Sequence, residues 1–491
     1  MATRKSISEM VQKKRRPIRV VQFGEGNFLR GFVDYMLDVA NEKGFFDGSV
    51  AVVKPISYGN LDAFREQDCI YTLSLKGKQD GRTVEERRII TSIDRAVGAY
   101  EEYETYRALC ELPELRFIVS NTTEAGIVYD PSDSFELTPP NTYPGKLTKF
   151  LYERFSSFHG DPQKGVVLLP VELIERNGAK LKECVLAYVD QWNLGDAFRS
   201  WLLTSCLFCS TLVDRIVTGY PREEAPGLCD AWGYADRLID TGEPFALWVI
   251  ESDRADEVAR LLPLDKAGFQ VVFTDDLRPY RERKVRILNG AHTATVLAAY
   301  LAGKDIVREC MEDAVTRALM ERVVYEEIAP TVPLPEDEVL RFARSVFERF
   351  ENPFIRHSLL SISLNSVSKW KARLLPSFRD RYAQTGSLPQ YLTFSFAALL
   401  AFYTGERGED GAYYGRRGEE RYRIQDDQPA LDFFAAHSAL SPEEYAAAAA
   451  AQESFWGEDL GRYPGFVEAV AAHLTLIREK GMTEGLKALL G

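Results

Sequence analysis

Histidine is scarce in this chain of 491 residues: there are five, with no HExxH and no dense Cys/His cluster, so no zinc site has a recognisable ligand pattern. The seven cysteines are scattered at 69, 110, 184, 206, 209, 229 and 310, and their odd number in a large chain predicts reduced thiols rather than a disulfide framework. Cys206 and Cys209 form the only close pair, and the apolar run around them, WLLTSCLFCSTLV, reads as core. No run of about 18 uncharged apolar residues is present, which excludes a membrane helix. The start, MATRKSISEMVQKKRRPIRV, is basic without the apolar stretch of a signal peptide, so a cytoplasmic location is the expectation. No long basic block offsets the formal charge of −13, which argues against a nucleic-acid partner. An anionic small molecule is still admissible, because a local basic pocket overrides global charge.

What is present is the composition of an ordinary globular protein, 45% hydrophobic and 27% charged, in a chain too long for one core. Two domains are expected, at 1–277 and 278–491. The first opens with a β-rich run, Ile18 to Phe23, followed at once by Gly24-Glu25-Gly26-Asn27-Phe28-Leu29-Arg30-Gly31. Strand, glycine turn and helix in that order admit a pyrophosphate at the helix start, although Leu29 replaces the third glycine of GxGxxG and an ordinary tight turn fits as well. Further β-rich pieces at 48–55, 69–77, 116–127, 165–173 and 245–252 are separated by helical stretches such as 30–43, 98–110 and 146–158, the pattern of an α/β domain with a mainly parallel sheet. Asn121 and Thr122 fall just beyond a strand, where such sheets gather ligands, and a turn of small polar residues explains them nearly as well. Where an acidic ribose reader is expected, after the second strand, Lys54 stands instead; it suits a 2′-phosphate or points to solvent, with Asp62 the nearest acid to reach a ribose.

The second domain is mainly helical, with periodic segments at 291–303, 305–327, 336–350, 389–403 and 464–478, and AAAAAAQ at 446–452 also helical. Residues 404–427, rich in glycine and charge, read as an exposed loop or flap. In RERKVRILNGAHTA, residues 281–294, Lys284, Asn289 and His292 fall at i, i+5 and i+8. A helix starting near Lys284 aims all three toward one cavity, a proton carrier, an amide donor and an imidazole around one polar substrate. A lysine acts as a base only once it has lost its proton, and Arg281, Arg283 and Arg286 crowd this one. Spacing alone fits equally a basic helix start with a packed histidine.

The K-x4-N-x2-H signature resembles the active site of the long-chain mannitol dehydrogenase family. The similarity extends through VVQFGEGNFLRGF at 20–32, LLPVELIERNG at 168–178, TLVDRIVTG at 211–219, FALWVIE at 245–251 and NPFIRHSLLSISLNSVSKWKARLLP at 352–376. Membership implies a Rossmann-like dinucleotide-binding domain with a helical partner domain, an enzyme acting on a secondary alcohol or ketone, NAD as cofactor and no metal. It implies Lys284, Asn289 and His292 as catalytic, and Gly24, Gly26, Phe28 and Arg30, a divergent GxGxFxR, as the cofactor site, Arg30 touching phosphate or substrate; Asn27 in that turn and Asn121 and Thr122 beyond their strand complete the expected site. Lys369 matches the family's substrate-contacting lysine.

Two departures point away from neutral polyols. The arginine that polyol-oxidising relatives carry eight residues before that lysine is Ser361 here, and their aspartate-asparagine pair is Glu172-Leu173. A terminal carboxylate on the substrate needs cations or several donors, and Arg356, Lys369 and His357 are the residues expected to supply them, with Glu172 binding a hydroxyl, orienting Lys284 or serving as a buried structural acid. Lys371 and Arg373 read as helix-surface side chains, and Asn177-Gly178 as a turn. The implied reaction interconverts D-altronate and D-tagaturonate. Fructuronate reduction and mannitol oxidation are the near alternatives, and a sugar-acid epimerase, a lyase or a dinucleotide sensor the distant ones. The only partner implied is a small sugar acid; oligomeric state is left open, a monomer being admissible.

Overall fold

The computed structural model describes residues 4–123 and 125–491. They form two compact units, one running to Gly77 and resuming over Thr83–Leu277, the other combining Lys78–Arg82 with Arg278–Gly491. The short segment 78–82 is therefore an exception to a contiguous partition: Lys78 pairs with Glu351, and the Gly81 amide donates to Glu348 at 2.7 Å, both within the second unit.

The first unit is built on a six-stranded parallel sheet: β1 Ile18–Phe23, β2 Ser49–Lys54, β3 Ile93–Gly98, β4 Phe117–Ser120, β5 Val167–Pro170 and β6 Leu207–Phe208, in the spatial order β3-β2-β1-β4-β5-β6. This is the strand order of a doubly wound dinucleotide-binding fold, with its switch point between β1 and β4. Alternate residues feed two cores, as the two-residue period of a strand requires: Val50 and Val52 of β2 enter one, Ala51 and Val53 the other. β3 was not among the expected strands. The run at 69–77 is a strand, Tyr71–Gln79, but it lies in a separate three-stranded sheet with Arg82–Ile90 and Asp240–Gly242. Leu247–Glu251 lies in a third sheet, parallel to Gln270–Thr274 and antiparallel to Ser210–Asp214. Asn177-Gly178 begins the helix Asn177–Gln191 rather than forming a turn.

The second unit is helical around two buried helices, Gly290–Leu301 and Gln390–Phe402. Aromatic side chains fill the space beside the latter: Phe396 lies 5.1 Å from both Trp370 and Trp456. The expected helix at 305–327 is interrupted at Asp313, whose carboxylate caps the next helix through the Thr316 amide at 3.0 Å. Residues 404–427 are not an irregular loop: Gly405–Arg407, Tyr413–Arg417 and Glu420–Ile424 form an antiparallel sheet that buries Tyr413, Tyr422 and Ile424. No helix among the described residues is long and apolar enough to cross a membrane.

Candidate active site

In the first unit the glycine turn follows β1 at the switch point. Gly24 has φ +125°, and a Cβ there would lie 3.1 Å from the Asn121 carbonyl oxygen, so the turn after β4 presses directly on it. A Cβ on Gly26 would meet nothing within 4 Å, which leaves the backbone at the helix start facing open space. Phe28 stacks on Phe32, ring centroids 5.1 Å apart, and packs against the core.

Arg30 does not reach outward to a phosphate. It is buried, its Nη1 donates to the Leu238 carbonyl at 2.5 Å, and its Nη2 bonds to the Asn27 side chain. The guanidinium also lies 5.2 Å from the Tyr71 ring, so its polar and apolar faces are both occupied by protein. It opens a π-helical turn, Arg30–Asp34, whose carbonyls are met by side chains: Tyr71 Oη on Arg30, Arg215 Nη1 on Gly31 and Ser92 Oγ on Asp34, at 2.8, 2.6 and 2.8 Å. Gln22 Nε2 donates to both the Gly24 carbonyl at 3.1 Å and Asp34 Oδ2 at 3.2 Å, linking the glycine turn to a buried carboxyl. Burial raises the pKa of Asp34 to about 7 and that of Asp240, beside Gly31, to about 6.

Glu172 is almost fully buried, and three donors occupy its carboxylate: the Thr122 amide and hydroxyl, both at 3.0 Å, and Ser120 Oγ at 3.2 Å. Its oxygens fasten the turn after β4, and burial raises its pKa. Thr122 is correspondingly engaged with Glu172, leaving the Asn121 side chain as the freer group of that turn. Lys54 neither points to solvent nor offers a free cation. It is buried and donates to the Ile56 and Tyr58 carbonyls at 2.8 and 3.1 Å and to Glu101 at 2.7 Å. Asp62 is exposed at the start of the short helix Asp62–Glu66.

In the second unit the decisive local feature is a π-helical turn over Lys284–Asn289, between the helices Arg278–Arg283 and Gly290–Leu301. In an α-helix residues i and i+5 diverge; with i→i+5 bonding they stand one turn apart, as Gly290 N to the Val285 carbonyl shows. The turn therefore brings Lys284 and Asn289 to one side, and the following α-turn keeps His292 near Asn289. Arg283 and Arg286 are not uncompensated cations around Lys284: Arg283 bonds Glu338 at 2.6 Å and lies over Phe342, and Arg286 bonds Asp380 at 2.5 Å.

His292 is 9% exposed, stacked on Phe350 at 4.3 Å between ring centroids and edge-on to His357 at 5.4 Å. Its Nε2 has no hydrogen-bond partner among the described residues, and neither has the Asn289 side-chain amide. Burial, then the positive field of His357, Arg373, Arg349 and Lys369, holds the His292 pKa down at about 3, so the ring is neutral at ordinary pH. Lys369 donates to the Ile362 carbonyl at 2.8 Å, and its pKa is lowered by burial and by Arg373. His357 is lowered by desolvation. Arg356 lies exposed on the irregular segment before Ser358, in no ion pair among the described residues. Sequence reasoning missed Phe350 and Arg373; the latter was signalled only by its i+4 spacing from Lys369, which puts both on one helical face. No group of three or more His, Cys, Asp or Glu side chains among the described residues is arranged to hold a metal ion.

Residues 18–261 match the mannitol dehydrogenase Rossmann domain and residues 276–478 the mannitol dehydrogenase C-terminal domain. The chain belongs to the mannitol dehydrogenase family of oxidoreductases. Altronate oxidoreductase of Escherichia coli O7:K1 (strain IAI39 / ExPEC) is 45% identical over 480 residues, 96% of this chain and 97% of that protein, and the protein of the same name from Shigella flexneri matches to the same extent. Among solved structures, D-sorbitol dehydrogenase in substrate-free form superposes with a TM-score of 0.77 at 20% identity, covering 99% of this chain and 100% of its own. Pseudomonas fluorescens mannitol 2-dehydrogenase, in a ternary complex with NAD and D-mannitol, gives 0.60 at 24%, covering 97% and 94%. At these identities the structural likeness is one of fold.

Proposed function

We propose that this chain is an NAD-dependent oxidoreductase interconverting D-altronate and D-tagaturonate by reversible hydride transfer. The observation that carries the reading is the 45% identity to altronate oxidoreductase over 96% of the chain, and the cations Lys369 and Arg373 near His292 suit an acidic sugar. The first unit fits a dinucleotide: its strand order, the left-handed backbone at Gly24 and the open backbone at Gly26 suit a pyrophosphate, with Asn27, Phe28 and Asn121 around it. Glu172, Thr122 and Arg30 position that site rather than touch the ligand. Bound NADH supplies the hydride, which no side chain of the chain can do.

During ketone reduction Lys284, as ammonium, donates the proton to the carbonyl oxygen. Asn289 and His292 donate hydrogen bonds to the developing oxyanion through the amide and Nε2 that lack protein partners, and His292 does so as a neutral ring. In the oxidative direction Lys284 takes the proton as neutral amine. Lys369 and His357 hold the acidic substrate. The enzyme is read as cytoplasmic, with a small sugar acid as its partner. A panel of purified sugar acids and polyols followed by NADH oxidation tests the assignment: tagaturonate is expected to be turned over best, and negligible turnover of tagaturonate beside efficient turnover of fructuronate would sink it.

A further inference from the structure

We propose that Arg373 receives the carboxylate of the sugar acid, and so sets the preference for an acidic over a neutral substrate. The inference rests on the sugar-acid reading above and assigns it to a residue whose sequence context suggested only a helix-surface side chain.

Arg373 is the last residue of the helix Ser366–Arg373 and is half-buried. Its hydrogen bonding is nearly unspent: Nη1 donates to Thr293 Oγ1 at 3.3 Å, a single long bond from a group with five N–H donors. No carboxylate pairs with it among the described residues. The contrast with its neighbours is direct, since Arg283 is matched by Glu338 and Arg286 by Asp380. A guanidinium withdrawn from water without an anion is costly, and burial already lowers its pKa. The Lys369 ammonium adds to that cost, because the two cations act on one another. Asp426, the acid that acts on Lys369, is itself engaged by Tyr403 Oη at 2.5 Å and the Val367 amide at 3.2 Å. A carboxylate brought by the substrate satisfies what the protein does not.

The position is also right for substrate. Thr293 Oγ1, which accepts from Arg373, donates in turn to the Asn289 carbonyl at 2.9 Å, tying the guanidinium to the turn that carries Asn289 and His292. Gly290 lies against the same segment: a Cβ there would stand 3.4 Å from Leu374 and 3.5 Å from the Arg373 carbonyl, ordinary contact distances. A planar fork beside the oxyanion donors grips one end of an open-chain acid while the carbonyl is held by Asn289 and His292. Arg356 also stands in no ion pair among the described residues, but it is exposed, where a charge pair contributes little.

Calorimetric titration of the NADH-saturated protein, which cannot oxidise either ligand, with D-altronate and with D-altritol, which differ only in the carboxylate, tests the assignment. Wild type is expected to favour the acid strongly, R373A to lose roughly 10²-fold in altronate affinity with altritol hardly changed, and R373K to fall between. Equal losses for both ligands in R373A and R373K, or a larger acid-specific loss in R356A, overturns the proposal. Tagaturonate turnover is measured alongside: wild type that binds altronate through Arg373 yet reduces no tagaturonate refutes the reaction while supporting the carboxylate site, and wild type without preference for the acid refutes the site.

Discussion

Lys54 Nζ and Glu101 Oε1 stand 2.7 Å apart at the carboxyl end of the parallel sheet, the lysine buried and the glutamate partly exposed. The lysine also holds the Ile56 and Tyr58 carbonyls, and its hydrogen bond keeps Glu101 below the usual carboxylate range. Its charge is thus used within the protein. Lys54→Met is expected to destabilise the first unit by about 1–3 kcal/mol, since three acceptors lose their donor. NADH should stay preferred to NADPH. Urea unfolding and kcat/KM for both cofactors check this; a wild-type NADPH preference abolished in the variant would show that Lys54 reads a 2′-phosphate after all.

Lys284→Ala should fold, keep most of its NADH affinity and slow proton-coupled hydride transfer by roughly 10²–10⁴-fold. Cofactor titration with single-turnover kinetics separates the two effects. Near-normal chemistry in the folded variant would reject Lys284 as the proton carrier.

His292 titrates at about 3, far below the working range, so the donor proposed here is a neutral ring. His292→Phe keeps an aromatic ring beside Phe350 and removes the donor; kcat should fall by about 10²–10³-fold. The wild-type pH–rate profile should carry no inflection from this residue between about pH 5 and 8, as its unperturbed value near 6.5 would otherwise produce. An inflection present in wild type and missing from H292F contradicts the buried neutral ring.

Asp34 has a folded-state pKa of about 7 against an unfolded value of about 3.9. Between those values the folded chain binds a proton that the unfolded chain has lost, so this contribution is full below about pH 4 and declines as pH rises through about 7. Asp34→Asn, neutral throughout, should flatten that part of the stability curve and gain on wild type at pH 8. Urea midpoints for both proteins from pH 5 to 8 decide it, and parallel curves would place the titration elsewhere.

Much of the fold was legible because its signals are local. Ile18–Phe23 followed by Gly24 and Gly26 marks a strand entering a glycine turn, and the apolar run at 291–303 marks a buried helix. What escaped depends on partners distant in sequence. Arg30 looked like a phosphate ligand until Leu238 supplied an acceptor 208 residues away, and Lys54 looked unpaired until Glu101 did the same. The sheet at 405–424 was hidden by its glycines and charges, yet Tyr413 with Gly415 and Tyr422 with Ile424 alternate at the strand period toward a buried face. Gly415 belongs there because a Cβ would strike the Tyr422 ring at 2.4 Å.

The π-helical turn at Lys284–Asn289 makes the catalytic arrangement a matter of chain length as well as chemistry. Such a turn holds one residue more than the α-helix it interrupts, and each residue advances an α-helix by about 100°. The same residues wound as an unbroken α-helix would put Lys284 about 140° away from Asn289, whereas deleting one residue inside 284–289 would leave an i, i+4 pair on one face of an ordinary α-helix, so spacing and turn compensate each other. A chain so shortened keeps the alignment with ordinary helical hydrogen bonding, whereas a residue added there turns Lys284 by about a further 100° and loses it. Two sequences with all three residues present can therefore reach one alignment by either helix form, and the interval between Lys284 and Asn289 tells which form joins them.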